Sequence, residues 1–232
     1  MLSSNVPHNG DPTAMTTGAP TQDTQEPAGL WRVALGYQRG VDSLNEKAGN
    51  ITPYLVIIVV TIGFANVVLR YLGRFIETRL VNNYWLESQW YLYSAVFLLG
   101  FGYILKHQIN VRVDFWWAEQ SLRRKVLIDF WGNIIALIPF SVMAIWVSTS
   151  WVLSSFSSQQ GRFTTWKIWT IWENSPDPSG LPRSPIKLMI IVGFGLLLLQ
   201  AIAEMVKLWA VLKDHEDWVE LPVKHDVPQR IE

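Results

Sequence analysis

The sequence predicts an all-α integral membrane protein with four transmembrane helices and short interfacial amphipathic helices. Uncharged runs cover residues 51–69, 88–105, 130–161 and 188–203. A helix needs about 20 apolar residues to cross a bilayer, or somewhat fewer where charged side chains snorkel from its ends. Half of the residues are hydrophobic and only 16% are charged, against roughly 25% charged residues in soluble domains. Many of the 13 tryptophans lie at the ends of the apolar runs, where indole favours the membrane–water interface.

Each segment follows from its composition. Residues 1–27 are polar and rich in Thr, Pro and Gly, which predicts a disordered extension. In residues 28–49, apolar side chains recur at helical spacing; this pattern favours an amphipathic helix in the membrane interface, with an ordinary surface helix as the alternative. Residues 50–212 form the predicted four-helix transmembrane domain, and residues 213–232 form a polar cytoplasmic tail. The predicted spans cover residues 51–72, 84–105, 126–156 and 186–210.

Candidate caps and the distribution of basic residues define the ends and the orientation of the spans. Asn50 and Thr52 are candidate caps for the first span, whose first turn would hold Pro53. After the second span, Asp114 is expected to cap a short amphipathic helix. If all four segments cross, most Lys and Arg residues lie on the side of the two termini. The positive-inside rule then predicts that both termini are cytoplasmic.

The residue types that the sequence lacks, or has only outside the spans, exclude several classes of function. There is no cysteine, and three of the four histidines lie in the polar tails. Disulfides, iron–sulfur clusters and thiolate metal sites are therefore excluded, and no span holds a histidine for haem. The net charge is zero, so no nucleic-acid partner is indicated. We expect no enzymatic activity, no catalytic or metal-ligating residue and no cofactor, with membrane lipids among the partners.

Polar residues inside the spans are the candidate functional positions. Glu87 suggests an ion pair with Arg70 or Arg74, or an interfacial acid near a helix N-terminus. Gln200 and Glu204 share a helix face, and Lys207 follows one turn later. An internal pair and a polar patch facing another subunit both remain open. The subunit-interface or structural candidates are Arg70, Glu87, Asp114, Lys187, Gly193, Gly195, Gln200 and Glu204. The two glycines would admit a close helix, either within this chain or from a partner.

The order of short motifs is also informative. These motifs are Trp85-x-Glu87, His107-x-x-x-Val-x-Val-Asp114, Ser175-Pro-Asp177, Gly180-Leu-Pro182, Pro185-x-Lys187 and Gln200-x-x-x-Glu204. Around four spans, this succession resembles the small membrane subunit of tripartite ATP-independent periplasmic (TRAP) transporters over about residues 50–212. The polar N-terminal extension departs from the family pattern, as does Ser88, where many relatives carry a second acid.

The resemblance implies a function. Such subunits pair in the bacterial inner membrane with a large multi-span subunit, which carries substrate and sodium by an elevator-like motion. A periplasmic binding protein delivers the substrate, typically an organic acid. The small subunit is then a non-catalytic scaffold in secondary active symport. A membrane adaptor of another multi-subunit complex remains the alternative, and the sequence does not specify a substrate.

Overall fold

The fold is a bundle of long helices. A computed structural model of the chain describes residues 29–109, 120–156, 172–213 and 218–219. Its helices are α1 (Gly29–Phe75), α2 (Asn83–Lys106), α3 (Leu122–Gly132), α4 (Ile138–Phe156) and α5 (Ser184–Leu212). A π-helical turn, Asn133–Leu137, joins α3 directly to α4. Within these described ranges the chain forms no strand beyond one isolated bridge, which confirms the all-α prediction.

Some predictions concern residues that the structure does not describe. The N-terminal extension, Asp114 with the short helix that it would cap, and most of the polar tail lie outside the described residues.

Helix α1 is longer than the sequence predicts. It runs unbroken through the segment expected to lie in the interface and through the first span. The prediction that Asn50 or Thr52 caps a new helix is therefore wrong. Pro53 lies inside the helix, and Thr52 donates its hydroxyl to the Ala48 carbonyl at 3.3 Å. A proline inside a helix costs about 3 kcal/mol, so packing of the residues that precede it has to offset this cost.

That packing involves one face of the first half of α1. Leu35, Gln38, Val41, Asn45 and Gly49 are buried, at helical spacing. A Cβ on Gly49 would lie 2.1 Å from the Tyr103 ring of α2, so only glycine permits this approach. The amphipathic pattern predicted an apolar face, but the polar Gln38 and Asn45 are buried, whereas the apolar Leu30 and Leu44 are exposed.

The relative directions of the helices follow from their contacts. Helices α1 and α2 are antiparallel, because Asn45 meets Gly102 and Gly63 meets Gln89. Helix α5 is the centre of the bundle and packs against α1, α2, α3 and α4. It is parallel to α2 and antiparallel to α1 and α4. The "termini end" of the bundle thus holds the start of α1 and the ends of α2 and α5. The "loop end" holds the end of α1, the start of α2 and the connection from α4 to α5.

Among the residues that the structure describes, three helical segments are long and apolar enough to cross a membrane: α1, the α3–α4 unit over Arg123–Phe156, and α5. Helix α2 covers the remaining predicted span and has 24 residues, or about 36 Å of helix. It falls outside this group because its Trp, Tyr and amide side chains lower the mean hydropathy of the helix. Its crossing of the membrane stays a prediction.

Candidate functional site: two polar clusters

A buried polar cluster lies at the termini end. We call it the termini-end cluster; it consists of Asp42, Asn45, Gln200, Glu204 and Lys207. Gln200 is fully buried and connects the others. Its Nε2 donates to Asp42 Oδ1 at 2.8 Å and to Glu204 Oε1 at 3.0 Å, while its Oε1 accepts from Asn45 Nδ2 at 2.7 Å. A fully buried amide requires such partners.

Lys207 supplies the positive charge of this cluster. Its Nζ donates to Glu204 Oε1 at 2.7 Å and lies 3.0 Å from Asp42 Oδ2. The Glu204–Lys207 pair expected from their spacing is therefore present, and only 3% of Glu204 is exposed. Two carboxylates and one ammonium group thus join α1 to α5.

Sequence reasoning missed the α1 members of this cluster. Asp42 appeared to belong to the polar face of an interfacial helix, yet its carboxylate faces α5. The available signal was the spacing of Gln38, Asp42 and Asn45, which are four and then three residues apart and share a helix face. Gln38 Nε2 donates to Asp42 Oδ2 at 2.9 Å.

A second set of charges ties α1 to the end of α2. Lys106 Nζ lies 2.5 Å from Glu46 Oε2, and His107 Nε2 lies 3.0 Å from the same oxygen. These side chains are partly exposed. Charge pairs of this kind contribute little stability but fix where two helices meet.

At the loop end, Glu87 organises a turn. Its Oε1 accepts a hydrogen bond from the Ser175 hydroxyl, and its Oε2 accepts one from the Leu181 backbone N–H. Asn83 Nδ2 donates to the Pro178 carbonyl at 3.0 Å, and the Tyr91 hydroxyl donates to the Pro182 carbonyl at 3.2 Å. Asn83, Glu87 and Tyr91 are spaced by four residues and form one face of α2. Three side chains of α2 therefore hold the 175–182 turn.

The expected ion pairs of Glu87 are not formed. Arg70 and Arg74 are exposed, and within the described part of the chain Glu87 bonds the 175–182 turn instead. Glu87 is 3% exposed, and its carboxylate contacts the turn that precedes α5. A Cβ on Gly180 would lie 2.9 Å from Glu87 Oε1 and 2.3 Å from Ser175 Cβ. The glycine is thus required for the carboxylate to reach the turn.

Lys187 is held inside the chain beside this turn. Its ammonium group pairs with Glu173 and lies 4.2 Å from the centre of the Trp151 ring, a cation–π contact. The hydrogen bond from Lys187 lowers the pKa of the Glu173 carboxyl below its ordinary value. Ser184 Oγ donates to the Ser155 carbonyl at 2.7 Å. These contacts join α4, α5 and the preceding loop.

The two candidate glycines of α5 have different surroundings. A Cβ on Gly193 would lie 2.8 Å from Leu98 Cβ and 3.0 Å from the Leu98 carbonyl oxygen. Gly193 therefore allows α2 and α5 to approach closely within this chain. Gly195 faces open space, with no atom within 4 Å of an added Cβ.

The polar groups at both ends of the bundle contact other residues of the same chain. Among the described residues, no three His, Asp or Glu side chains are placed to hold a metal ion. The carboxylates instead accept hydrogen bonds from groups of the same chain. The structure therefore has two sets of polar contacts between its helices, one at each end of an otherwise apolar bundle.

Comparisons with known proteins give the family. Searches of curated proteins and of solved structures found no match. The family model described as "Tripartite ATP-independent periplasmic transporters, DctQ component" matches residues 57–211, more than half of the chain. The matched range includes Glu87, the 175–182 turn and the α5 residues of the termini-end cluster, but begins after Asp42 and Asn45. The chain therefore belongs to the DctQ component family of tripartite ATP-independent periplasmic transporters.

Proposed function

We propose that this chain is the non-catalytic scaffold of a TRAP transporter. It would support a large, sodium-coupled, elevator-type subunit that imports an organic acid delivered by a periplasmic binding protein. Family membership makes the chain a small membrane subunit of such a transporter. The sodium coupling, the elevator-like partner and the class of substrate belong to the proposal.

The observation that supports a scaffold role is the joining of helices at both ends. The termini-end cluster fixes α1 to α5, and Glu87 fixes α2 to the turn that precedes α5. Breaking such buried contacts leaves polar groups unsatisfied, which is costly in a low-dielectric environment. A support for a moving subunit needs this resistance to internal rearrangement.

Exposed apolar surfaces support contact with a membrane partner. On α1, Ile57 is 63% and Phe64 is 71% exposed; on α4, Trp146 is 77% exposed. Contiguous apolar surface of this kind belongs against lipid or another membrane subunit. The 175–182 turn projects from the same bundle at the loop end, the side on which the binding protein would act in the predicted orientation.

Reconstitution tests the proposal. The chain, the large subunit and the binding protein would be placed in liposomes, and uptake of a labelled organic acid would be measured with an inward sodium gradient. We expect uptake only when all three are present, and none from this chain alone. Uptake by the isolated chain would contradict the scaffold role. Uptake that persists when choline replaces sodium would contradict the sodium coupling. Co-purification in mild detergent with an unrelated membrane complex would favour the adaptor alternative.

We also propose an inner-membrane location with both termini cytoplasmic. The natural absence of cysteine permits single-cysteine labelling with impermeant thiol reagents. Ser179→Cys, at the exposed tip of the 175–182 turn, should be labelled in intact cells. Ser121→Cys, which is exposed just before α3, should be labelled only after permeabilisation. The opposite pattern would reverse the orientation.

A further inference from the structure

A groove of about 420 Å³ opens between α2 and α5 near the loop end. Its α2 wall includes Glu87, Trp90, Ser94 and Phe97, and its α5 wall includes Ile186 and Ile190. The spacings are those of a single helix face on each side. Because α2 and α5 are parallel, the two faces form the walls of one groove along the bundle axis.

The α2 wall of the groove is about as long as one leaflet of a membrane is thick. From Glu87 to Leu98, both of which line it, α2 rises about 16 Å. The hydrocarbon core of a bilayer is about 30 Å thick, so one leaflet accounts for about 15 Å. Tyr93 and Phe97, on the open side, are 66% and 59% exposed. The groove is thus open to the surroundings of the bundle, and its α2 wall is about as long as one leaflet is thick.

Two basic and two acidic side chains lie at the head of the groove. Lys187 pairs with Glu173, and Glu87 accepts hydrogen bonds from two neutral donors of the 175–182 turn, which do not cancel its charge. Arg183, which immediately precedes α5, also lines the groove. Its guanidinium group forms no ion pair or side-chain hydrogen bond with any residue that the structure describes. A guanidinium group binds phosphate oxygens with two parallel hydrogen bonds.

We propose that this groove is a binding site for a membrane phospholipid. One acyl chain lies between α2 and α5, and the phosphate is bound by Arg183 at the loop end. In the predicted orientation the lipid belongs to the outer leaflet of the inner membrane. The length of the α2 wall, which matches one leaflet, and the available guanidinium donors of Arg183, which suit a phosphate group, are the two observations that select this occupant. A lipid site on this bundle does not require the transport function proposed above.

Photocrosslinking in vesicles tests the site. The full chain would be reconstituted in phosphatidylethanolamine and phosphatidylglycerol, with a trace of phosphatidylglycerol that carries a diazirine on one acyl chain. After illumination, mass spectrometry would compare labelling of Phe97 in the groove with labelling of Phe64 on α1, which is at least as exposed. We expect several-fold more labelling at Phe97. Diacylglycerol with the same diazirine chain should show no such preference, because it lacks the phosphate.

Matched arginine variants test the headgroup contact. Arg183→Gln should reduce labelling at Phe97 by about tenfold, the effect of one charge-assisted contact, and leave Phe64 unchanged. Arg70→Gln, which removes an exposed arginine of α1, should change neither. Equal labelling of Phe97 and Phe64 in the unmodified chain would refute the site, as would an Arg183→Gln variant without effect. Loss of groove labelling when the large subunit is present would assign the groove to a protein contact and also refute the proposal.

Discussion

Replacing Glu87 with leucine should loosen the 175–182 turn while leaving the bundle folded. Leucine fills a similar volume inside the apolar bundle but removes both acceptor oxygens. The Ser175 hydroxyl and the Leu181 N–H then lose their partner. Each hydrogen bond to a carboxylate contributes about 1.5–3 kcal/mol. Because water can reach the partly exposed turn and replace part of this, we expect a loss of about 2 kcal/mol, which is roughly thirtyfold in the opening equilibrium.

Hydrogen exchange measures this directly. Pro182 follows Leu181 and has no backbone N–H, so no neighbouring amide on the C-terminal side exchanges together with that of Leu181. In detergent or nanodiscs, its exchange should accelerate about thirtyfold in Glu87→Leu. Ser175→Ala removes only one of the two bonds and should give about fivefold, corresponding to about 1 kcal/mol. Amides in the centre of α5 should be unaffected. Unchanged exchange at Leu181 in Glu87→Leu would refute the role of this carboxylate in holding the turn.

Three further predictions concern packing and charge. Gly193→Ala should lower the thermal stability of the detergent-solubilised chain by about 1–3 kcal/mol through overpacking against Leu98, whereas Gly195→Ala should not; equal effects would contradict the close approach. Lys207→Met should destabilise the isolated chain by about 3–5 kcal/mol and more than Glu204→Leu, because it leaves the buried Glu204 and the partly buried Asp42 without a positive partner, whereas Glu204→Leu leaves Lys207 with Asp42; the reverse order in melting temperature would argue against this charge balance. The folded-state pKa of Glu173 is lowered, so its contribution should be complete above the unfolded-state value of about 4.3 and disappear as pH falls through the folded-state value. The melting-temperature difference between the unmodified chain and Glu173→Gln should accordingly shrink in acid, and a difference that grows would be inconsistent with the pair.

Apolar runs were a reliable guide to the helices. Helices α2 and α5 lie where uncharged residues dominate, and α5 begins at Ser184 next to Pro185. The continuity of α1 from residues 28–49 into the first span was missed for a specific reason. Pro53 looks like the first turn of a helix, but the burial of Gly49 against Tyr103 keeps the helix continuous past it. Such tertiary packing has no local sequence signal.

The polar contacts also divide into those between residues close in sequence, which could be predicted, and those that depend on tertiary packing, which could not. Gln200, Glu204 and Lys207 lie within two turns of one helix, so their spacing alone predicted a pair. Their partner Asp42 is 158 residues away from Gln200, and only the packing of α1 on α5 brings it there. Glu87 bonds a backbone N–H, a donor that nearly every residue carries. Sequence reasoning therefore sought an arginine for it and proposed Arg70, which is exposed.

The unbroken length of α1 determines how deep the chain can sit in a bilayer. Its 47 residues extend about 70 Å, so a helix lying wholly within a 30 Å hydrocarbon core would lean about 65° from the membrane normal. Transmembrane helices lean at most about 40°, so a large part of α1 must emerge into the headgroups or beyond. If the apolar half that follows Pro53 occupies the core, the half that carries Asp42 is the part that emerges. Asp42 bonds Lys207, so the last turns of α5 would lie at the same depth as Asp42 and also emerge from the hydrocarbon core. The termini-end cluster would then lie at the membrane surface and set the depth of the whole bundle.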